Sequence, residues 1–336
     1  MKPHCQRIYT ILFMLFIWFG AISAARADSC SGTMTDMVFS NVSPIAAANV
    51  NTSGTLTVTC SWTALTGFPP LLLFPNVTFC VYLGTGSGGT TGAYRAMLSG
   101  AAKLPYNLYT DTTYAASSVW GGGAMANTLP VSGTMGGLLA LGTISKTFTI
   151  AGQIPGNSLA GVVSGGGGDA AYASTFSTDA VLNYAFYGSV KPACTSGGTA
   201  LVNFQVRANV INDCVVNASV MNFGPTKVLT QPVRATSTLS VLCTANANYR
   251  ISLNGGQNGT VAARKMKNTV TGESIAYQIS STLDGALWGD GTGGSAPVAA
   301  VGTGAQQSIS LFGYVGAQTT PTPGDYKDTV TATIYF

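Results

Sequence analysis

Residues 204–210 alternate apolar and polar side chains, and they lie just before Cys214. The residues that follow Cys214 repeat a series of residues that follows Cys30. Alternation with a period of two predicts a strand with one face in a core and the other in water. The paired landmarks, in chain order, are Phe39 with Phe223, Cys60 with Cys243, Arg95 with Arg264, Tyr106 with Tyr277, Trp120 with Trp288, Phe148 with Ile309, and Asp179 with Asp328. Seven matches in the same order predict two copies of one domain.

Short segments of alternating β-branched residues recur in both copies, as at 55–59, 147–150, 308–311 and 329–336. Turns rich in glycine and asparagine separate them, and helical periodicity is missing. This pattern is typical of all-β sandwiches. Apolar residues make up 46% of the chain, which argues against disorder. We therefore expect an all-β fold of two tandem β-sandwiches.

The first 27 residues have the pattern of a secretory signal. Lys2 and Arg7 precede an apolar run over 8–22, and Ala25-Arg26-Ala27 follows it. A basic start, an apolar centre and an A-x-A end predict cleavage after Ala27. The alternative is a membrane anchor, but the run is shorter than the ~20 residues that a bilayer needs. We expect export into a bacterial periplasm or beyond it.

Removal of the signal would also remove Cys5 and His4, leaving six cysteines and no histidine. An even number of cysteines in an exported protein indicates disulfides. Within each copy the first two cysteines are expected to pair. Cys80 and Cys194 have no counterpart in the second copy, so we expect them to pair with each other. The predicted bonds are Cys30–Cys60, Cys80–Cys194 and Cys214–Cys243.

The same composition limits the possible chemistry. Without histidine in the mature chain, catalysis by a nucleophile and a histidine base is excluded, and we predict no enzymatic activity. No CxxC spacing supports a metal site, and no cofactor is expected. Three of the 15 basic residues leave with the signal, so 12 would face 11 acidic residues. That balance argues against a nucleic-acid partner.

The closing segment from Gly324 to Phe336, with its Gly-Asp-Tyr-Lys-Asp-Thr-Val motif, resembles the C-terminal signature of the spore coat protein U domain family. Cys243, Arg264-x-Met266, Tyr277 and the Trp288-Gly-Asp-Gly motif resemble it too. The resemblance covers the second copy from about Phe204 and is looser over 28–194. That family supplies subunits of archaic, Csu-type chaperone–usher pili, and a two-domain member resembles their tip adhesin.

The resemblance implies immunoglobulin-like sandwiches that lack a last strand, which a partner donates by β-augmentation. The implied partners are a periplasmic pilus chaperone, an outer-membrane usher and a neighbouring pilin subunit. The expected acceptor residues are Val330, Ala332, Ile334 and Phe336. After cleavage only two residues would precede Cys30, too few for a donor strand, which favours a place at the pilus tip. The C-terminal sandwich is thus expected to be incomplete and to be completed by a donor strand.

The expected domains are an N-terminal adhesin domain over 28–197, a connector or strand over 198–213, and a C-terminal pilin domain over 214–336. The segment 200–210 could complete the first domain or begin the second, and the sequence leaves both possibilities open.

The first copy is longer than the second in three places, which we consider as candidate surface-binding loops. Prolines around the apolar segment near 67–75 exclude a central strand and favour an exposed loop tip. The other two insertions lie between Ile150 and Asp179 and between Trp120 and Phe148, and for them folding over the sandwich core is an equal alternative to exposure. An exposed apolar patch normally marks an interaction site. The candidate residues are Phe68, Pro69, Leu71, Leu72, Leu73, Phe74, Val119, Trp120, Met125, Leu159, Val162 and Val163.

These features favour a pilus tip adhesin that attaches to abiotic or host surfaces, as in biofilm formation. Two alternatives remain from the sequence. One is a tip lectin that binds glycans through Trp120, Tyr114 and Asp111, and the other is a non-adhesive structural pilus or coat subunit. Clustered leucine and phenylalanine without polar neighbours favour nonspecific apolar contact over sugar binding.

Overall fold

The computed structural model describes residues 28–63, 75–122, 125, 128–136, 141–165 and 168–336. The fold is all-β, with two β-sandwiches in chain order, as predicted. The first contains β1 (Ser29–Met34), β2 (Met37–Val42), β3 (Val50–Thr63), β4 (Asn76–Leu83), β5 (Thr90–Thr91), β6 (Tyr94–Ser99), β7 (Ala102–Tyr109), β8 (Val131–Met135), β9 (Leu141–Ile154), β10 (Ala170–Phe176), β11 (Ala180–Tyr187), β12 (Gly198–Leu201) and β13 (Phe204–Val210). The second contains β14 (Cys214–Ala218), β15 (Val233–Cys243), β16 (Asn248–Leu253), β17 (Arg264–Asn268), β18 (Ser274–Ser280), β19 (Val298–Val301), β20 (Gln306–Val315), β21 (Tyr326–Lys327) and β22 (Ala332–Tyr335).

Helical structure in the described part of the chain is confined to 3₁₀ turns at Ala116–Ser118 and Gly156–Ser158. None of the described residues forms a helix that is long and apolar enough to span a bilayer.

The first sandwich packs a large sheet against a small one. The large sheet has the order β1-β3-β9-β7-β6-β10-β13-β2, with β5 beside β6, and the small sheet has the order β12-β11-β4-β8. One continuous apolar core lies between the sheets. This core is larger than that of the second sandwich, which has fewer fully buried residues.

Residues 198–210 complete the first sandwich. β12 pairs antiparallel with β11 in the small sheet, and the chain then crosses to the large sheet, where β13 lies antiparallel to β10 and parallel to β2. From Val202 onward the core-facing side chains of this segment are all buried; they are Val202, Phe204, Val206, Ala208 and Val210. Of the two possibilities that the sequence left open for 200–210, the structure therefore has the one in which this segment completes the first sandwich, and residues 211–213 link the two sandwiches.

The second sandwich repeats the first with fewer strands. Its large sheet has the order β14-β15-β20-β18-β17-β21, and its small sheet has the order β19-β16-β22. By pairing pattern, β14, β15, β16, β17, β18, β20 and β22 correspond to β1, β3, β4, β6, β7, β9 and β11.

Two buried arginines show the duplication at the level of single hydrogen bonds. Arg95 and Arg264 are fully buried, and each guanidinium donates to three backbone carbonyls. The acceptors are Gly84 at 2.7 Å, Leu83 at 3.3 Å and Trp120 at 2.7 Å in the first copy, and Asn254 at 2.9 Å, Leu253 at 3.2 Å and Trp288 at 2.8 Å in the second. Burial lowers the pKa of Arg95 to about 10, and burial also lowers the pKa of Arg264.

All three predicted disulfides are present. Cys30–Cys60 and Cys214–Cys243 join the first long strand pair of each sandwich, β1 to β3 and β14 to β15. Cys80–Cys194 joins β4 to the segment that leads into β12. The first two bonds occupy matching positions in the two copies, whereas the third is specific to the first.

The two sandwiches touch at the short linker and at one insertion of the first copy. The linker residue Asp213 accepts a hydrogen bond from Ser43 Oγ at 2.5 Å, and its amide donates to Thr244 Oγ1 at 3.1 Å. Val163 forms a parallel bridge with Ala245, and the amide of Ser164 donates to the Ala245 carbonyl at 3.0 Å. The insertion near residue 163 therefore lies against the second sandwich.

Candidate functional site: an open sandwich edge and the loops of the first domain

The second sandwich has two strand edges that are covered in the first. β22 pairs with β16 on one side, and β21 pairs with β17 on one side. In the first sandwich the corresponding edges of β11 and β10 carry β12 and β13. Among the described residues, no strand takes these two places in the second sandwich.

Side chains next to this gap are less buried than their counterparts in the first copy. Leu182 and Ala180 are fully buried, whereas Ile334 and Ala332, at the same register positions, are only partly buried. Met37 and Phe39 are also fully buried, whereas their counterparts Met221 and Phe223 are only partly buried. The gap is thus an apolar groove that runs between the two sheets.

The segment that corresponds to β2 is not a strand in the second copy. Met221 and Phe223 nevertheless occupy the same place as Met37 and Phe39, since both pairs pack against a glycine of the long central strand. A methyl group added at Gly313 would clash with Met221 and Phe223, and one added at Gly152 would clash with Met37 and Phe39. Among the described residues no strand pairs with this segment as β13 pairs with β2, whereas the glycine against which it packs is present in both copies.

Three of the four expected acceptor residues line the groove. Val330, Ala332 and Ile334 are partly buried against the second core, while Phe336 is 55% exposed beyond the end of β22. Their side chains lie where a further strand would pack.

A partly buried polar contact fixes the segment that precedes β22. Tyr277 donates its hydroxyl proton to Asp328 at 2.6 Å, and the amide of Gln257 donates to the same carboxylate at 2.8 Å. Burial and the nearby carboxylate raise the pKa of Tyr277, so the hydroxyl stays protonated as a donor. In the first copy, Asp179 accepts from the amide of Gly86 at 2.7 Å. In both sandwiches this aspartate therefore holds the loop that follows β4, or its counterpart β16, against the C-terminal part of the domain.

Two candidate surface residues, Val119 and Trp120, belong to the interior instead. The indole N–H of Trp120 donates to the Val81 carbonyl at 2.8 Å, and its ring lies parallel to that of Phe204, with centroids 6.2 Å apart. Val119 is buried in a small cluster with Tyr109. The expectation that these two residues are exposed is wrong, because both are part of the packed sandwich.

The insertion near residue 160 also folds over the sandwich. Leu159 and Val162 are buried in the first core, next to the 3₁₀ turn at Gly156–Ser158. Val163 is half-buried and contacts the second sandwich through its bridge to Ala245. Exposure of Leu159 and Val162 was therefore a wrong expectation, and the alternative of an enlarged core applies here.

The remaining candidates lie in or beside the parts of the chain that the structure does not describe. Phe68, Pro69, Leu71, Leu72, Leu73 and Phe74 fall within 64–74, outside the described residues. Met125 is half-buried, and its carbonyl accepts a hydrogen bond from Thr128 Oγ1 at 2.8 Å. Leu129, which sequence reasoning did not select, is 68% exposed. Its position in the same insertion as Met125 could have identified it as a candidate surface residue.

The residues of the glycan alternative do not form a sugar-binding surface. Trp120 is fully buried, so its ring face cannot stack on a sugar. Tyr114 packs edge-on against Tyr109, with ring centroids 5.3 Å apart. Asp111 accepts hydrogen bonds from the amide and the hydroxyl of Thr113, and these bonds lower the pKa of its carboxyl group. This arrangement is a local turn.

Comparison with known proteins gives matches on both sandwiches. A family model described as the Spore Coat Protein U domain matches residues 19–167 and 200–333. Protein U of Myxococcus xanthus is 28% identical over 155 residues, which are 41% of this chain and 86% of that protein.

Among solved structures, a similar fold is found in the CsuC–CsuE chaperone–tip adhesion subunit pre-assembly complex from archaic chaperone-usher Csu pili of Acinetobacter baumannii. The alignment has a TM-score of 0.51 and 17% identity, and it covers 92% of this chain and 100% of that chain.

Proposed function

Because the chain belongs to the spore coat protein U domain family, we propose that it is a subunit of a chaperone–usher pilus whose second sandwich accepts a strand from another polypeptide. The observation that carries this proposal is the groove beside β22. There, Ile334 and Ala332 are partly exposed at positions where the first sandwich buries Leu182 and Ala180 beneath its own strands. Main-chain pairing at a free edge and apolar side chains in a groove are the two elements of β-augmentation.

The first sandwich provides a template for the donated strand. Its completing segment 198–210 runs antiparallel to β11, crosses between the sheets near Val202, and continues antiparallel to β10. Five apolar side chains of this segment point into the core. The strand that enters the second sandwich is therefore about 13 residues long, antiparallel to β22, with apolar side chains at every second position after the crossing.

The proposed assembly route follows from this groove. A free apolar edge promotes aggregation unless a partner covers it. In our proposal a periplasmic chaperone covers the edge first, after removal of the signal over 1–27. A strand of the neighbouring pilin subunit replaces it at the outer-membrane usher. The similar solved structure contains a chaperone bound to a tip adhesion subunit, which supports a chaperone as one of these partners.

Surface attachment is assigned to the first sandwich. It is completed by its own chain, so it is free to act as the distal domain at the pilus tip. The apolar segment with Phe68, Leu72 and Phe74, together with the exposed Leu129, is proposed to contact abiotic or host surfaces during biofilm formation. Several pili on one cell would combine weak contacts into firm attachment.

Strand acceptance can be tested by fusion. The sequence of residues 185–210 is added after Phe336, which corresponds to Tyr184, so that the second sandwich has the same continuation as the first. We expect the thermal unfolding of the second sandwich to shift upward by several degrees, because the groove is filled. A control fusion carries aspartate at the positions of Val206 and Ala208. If both fusions leave the unfolding temperature unchanged, the groove does not accept a strand.

Surface attachment is tested separately, with the full chain on polystyrene and on clean glass. A variant with Phe68→Ser, Leu72→Ser and Phe74→Ser should lose most of its binding to polystyrene. The matched control changes three exposed apolar residues elsewhere, Val190→Ser, Val220→Ser and Val270→Ser. It should bind like the unmodified protein. Equal loss in both variants would mean that attachment does not depend on the proposed loop.

A further inference from the structure

The outer faces of the two small sheets differ between the copies. β4 in the first sandwich is buried on both faces, and its outward residues Thr78 and Cys80 are 3% and 5% exposed. β16 in the second sandwich is buried on its inner face only, and its outward residues Asn248 and Arg250 are exposed. The first copy therefore covers a surface that the second copy leaves uncovered.

The matching of these positions follows from hydrogen bonds. The indole of Trp120 donates to the Val81 carbonyl, and the indole of Trp288 donates to the Ile251 carbonyl, each at 2.8 Å. Val81 and Ile251 are thus equivalent, and the residues before them, Cys80 and Arg250, are equivalent as well.

A particular segment approaches this face in the first copy. After β11 the chain runs through 188–197 and then enters β12. Within that run, Cys194 is disulfide-bonded to Cys80, and the Gly188 carbonyl accepts a hydrogen bond from Asn76 Nδ2 at 3.0 Å. The segment that covers the outer face is therefore the one that leads directly into the completing strand.

A cavity of about 650 Å³ lies at the small sheet of the second copy. Asn248, Arg250, Ala299, Val301 and Tyr335 line it from the outer face, and Tyr249, Ala300 and Phe336 line it as well. Val301 and Tyr335 are 48% and 38% exposed, which leaves apolar surface without a cover. Arg250 takes part in neither of the two ion pairs found among the described residues. The cavity thus offers apolar side chains beside a cation that has no acidic partner in the described part of the chain.

We propose that this cavity binds the residues of the donor polypeptide that come immediately before its pairing strand. The inference rests on the proposed strand acceptance. Their place corresponds to that of 188–197 in the first copy, since β12 begins at Gly198 opposite Tyr184, and Tyr184 corresponds to Phe336 at the end of β22. A chain that enters the groove at that end passes the cavity first.

The chemistry of the cavity defines the segment that fits it. An apolar side chain fills the space between Val301, Ala299 and Tyr335, and a carboxylate or another hydrogen-bond acceptor faces Arg250. A guanidinium pairs with a carboxylate through two parallel hydrogen bonds, so an acidic residue is the preferred partner. This second contact outside the groove would distinguish donors that carry the acidic residue from those that do not.

The test uses the full chain and three synthetic peptides. The short peptide has the sequence of residues 198–210. The two long peptides have the sequence of residues 190–210, one with Cys194→Glu and one with Cys194→Ser. We expect the long peptide with glutamate to bind about three- to tenfold more tightly than the short one, the range of a partly exposed ion pair plus some apolar contact. The long peptide with serine should fall between them.

Variants of the protein locate the contact. In Arg250→Ala the advantage of glutamate over serine should disappear, while the short peptide binds as before. Arg234→Ala removes an exposed arginine from the large sheet of the same sandwich and should change nothing. Circular dichroism of each variant checks that the fold is retained.

The possible outcomes separate the two proposals. If the short peptide binds and the long peptides bind no better, the cavity does not bind the leading residues, and strand acceptance stands. If the glutamate advantage persists in Arg250→Ala, the contact lies elsewhere and the inference is wrong. If no peptide binds, strand acceptance itself is contradicted, and the inference is contradicted with it.

Discussion

Phe204 stacks on Phe176, with ring centroids 4.6 Å apart and ring planes 8° from parallel. Phe204 belongs to β13 and Phe176 to β10, so the contact joins the completing strand of the first sandwich to its neighbour in the large sheet. The first sandwich is thereby closed by its own chain. The same strand positions in the second sandwich form the groove that we assign to a partner.

Replacing Phe204 should weaken the first sandwich strongly. Phe204→Ala removes a buried ring from two parallel stacks, and such core truncations cost about 3–5 kcal/mol of unfolding free energy. Urea unfolding of the full chain, followed by the fluorescence of Trp62 and Trp120, measures this loss. The control Leu201→Ser changes an exposed residue of the same segment and should stay within about 0.5 kcal/mol. Equal effects would show that this segment is not part of the first core.

Replacing Arg95 should be similarly severe. Arg95→Met keeps the apolar part of the side chain but leaves three buried carbonyls without their donor, which predicts a loss of at least about 3 kcal/mol in the first sandwich. Arg264→Met should act in the same way on the second. Arg207→Met breaks only an exposed ion pair, so a change under about 1 kcal/mol is expected there. Chemical denaturation of the three variants provides the comparison, and a mild Arg95 variant would contradict the proposed structural role.

Removing the disulfide that is specific to the first copy should lower its stability. Cys80 and Cys194 are 114 residues apart, and opening a loop of this length costs about 4–5 kcal/mol on the chain-entropy model. The variant Cys80→Ala with Cys194→Ala is compared with the unmodified protein by urea unfolding. The transition of the second sandwich serves as the internal control and should not move. A loss under about 1 kcal/mol would mean that the unfolded chain is not restrained by this bond.

The second sandwich should lose stability in acid partly through Glu273. Hydrogen bonds from the side chain of Thr322, from its amide at 2.9 Å and from the Thr271 hydroxyl at 3.4 Å lower the pKa of its carboxyl group. A carboxyl group whose pKa is lowered by folding stabilises the folded state. This contribution is fully present at a pH above the pKa in the unfolded chain, about 4.3, and it is lost as the pH falls through the lower pKa in the folded state.

The measurement compares urea midpoints of the second transition between pH 7 and pH 3. Glu273→Gln should show a smaller decrease than the unmodified protein. Asp325→Asn removes an exposed carboxylate nearby and should behave like the unmodified protein. A Glu273→Gln variant with an unchanged acid decrease would rule out this contribution.

Much of the fold could be predicted because the repeated landmarks are core or covalent features. The cysteines of the two matching disulfides, the paired arginines and the paired tryptophans keep their positions in both copies, and each is buried or bonded. The strands with which residues 204–210 pair could not be predicted. Alternation identifies a strand and its inward face, but pairing with β10 and β2 depends on residues far away in the chain.

The candidate surface residues show a second limit. Apolar residues in an insertion can cover the core or face the solvent, and composition does not distinguish the two. For Trp120 a signal was available, because it matches Trp288 in the repeat, and a residue kept in both copies indicates a structural role. For Val163 no such signal existed, since its contact with Ala245 is between domains.

Amide hydrogen exchange of the full chain, without any partner, compares the two sandwiches in one experiment. Amides of β11 lie between two paired strands, whereas those of β22 pair with β16 only. We predict that the β22 amides facing the groove exchange at least ~100-fold faster than the amides of β11, and that a bound donor peptide slows them. If β22 is as protected as β11 in the free protein, the second sandwich is already closed, and its proposed role as strand acceptor is contradicted.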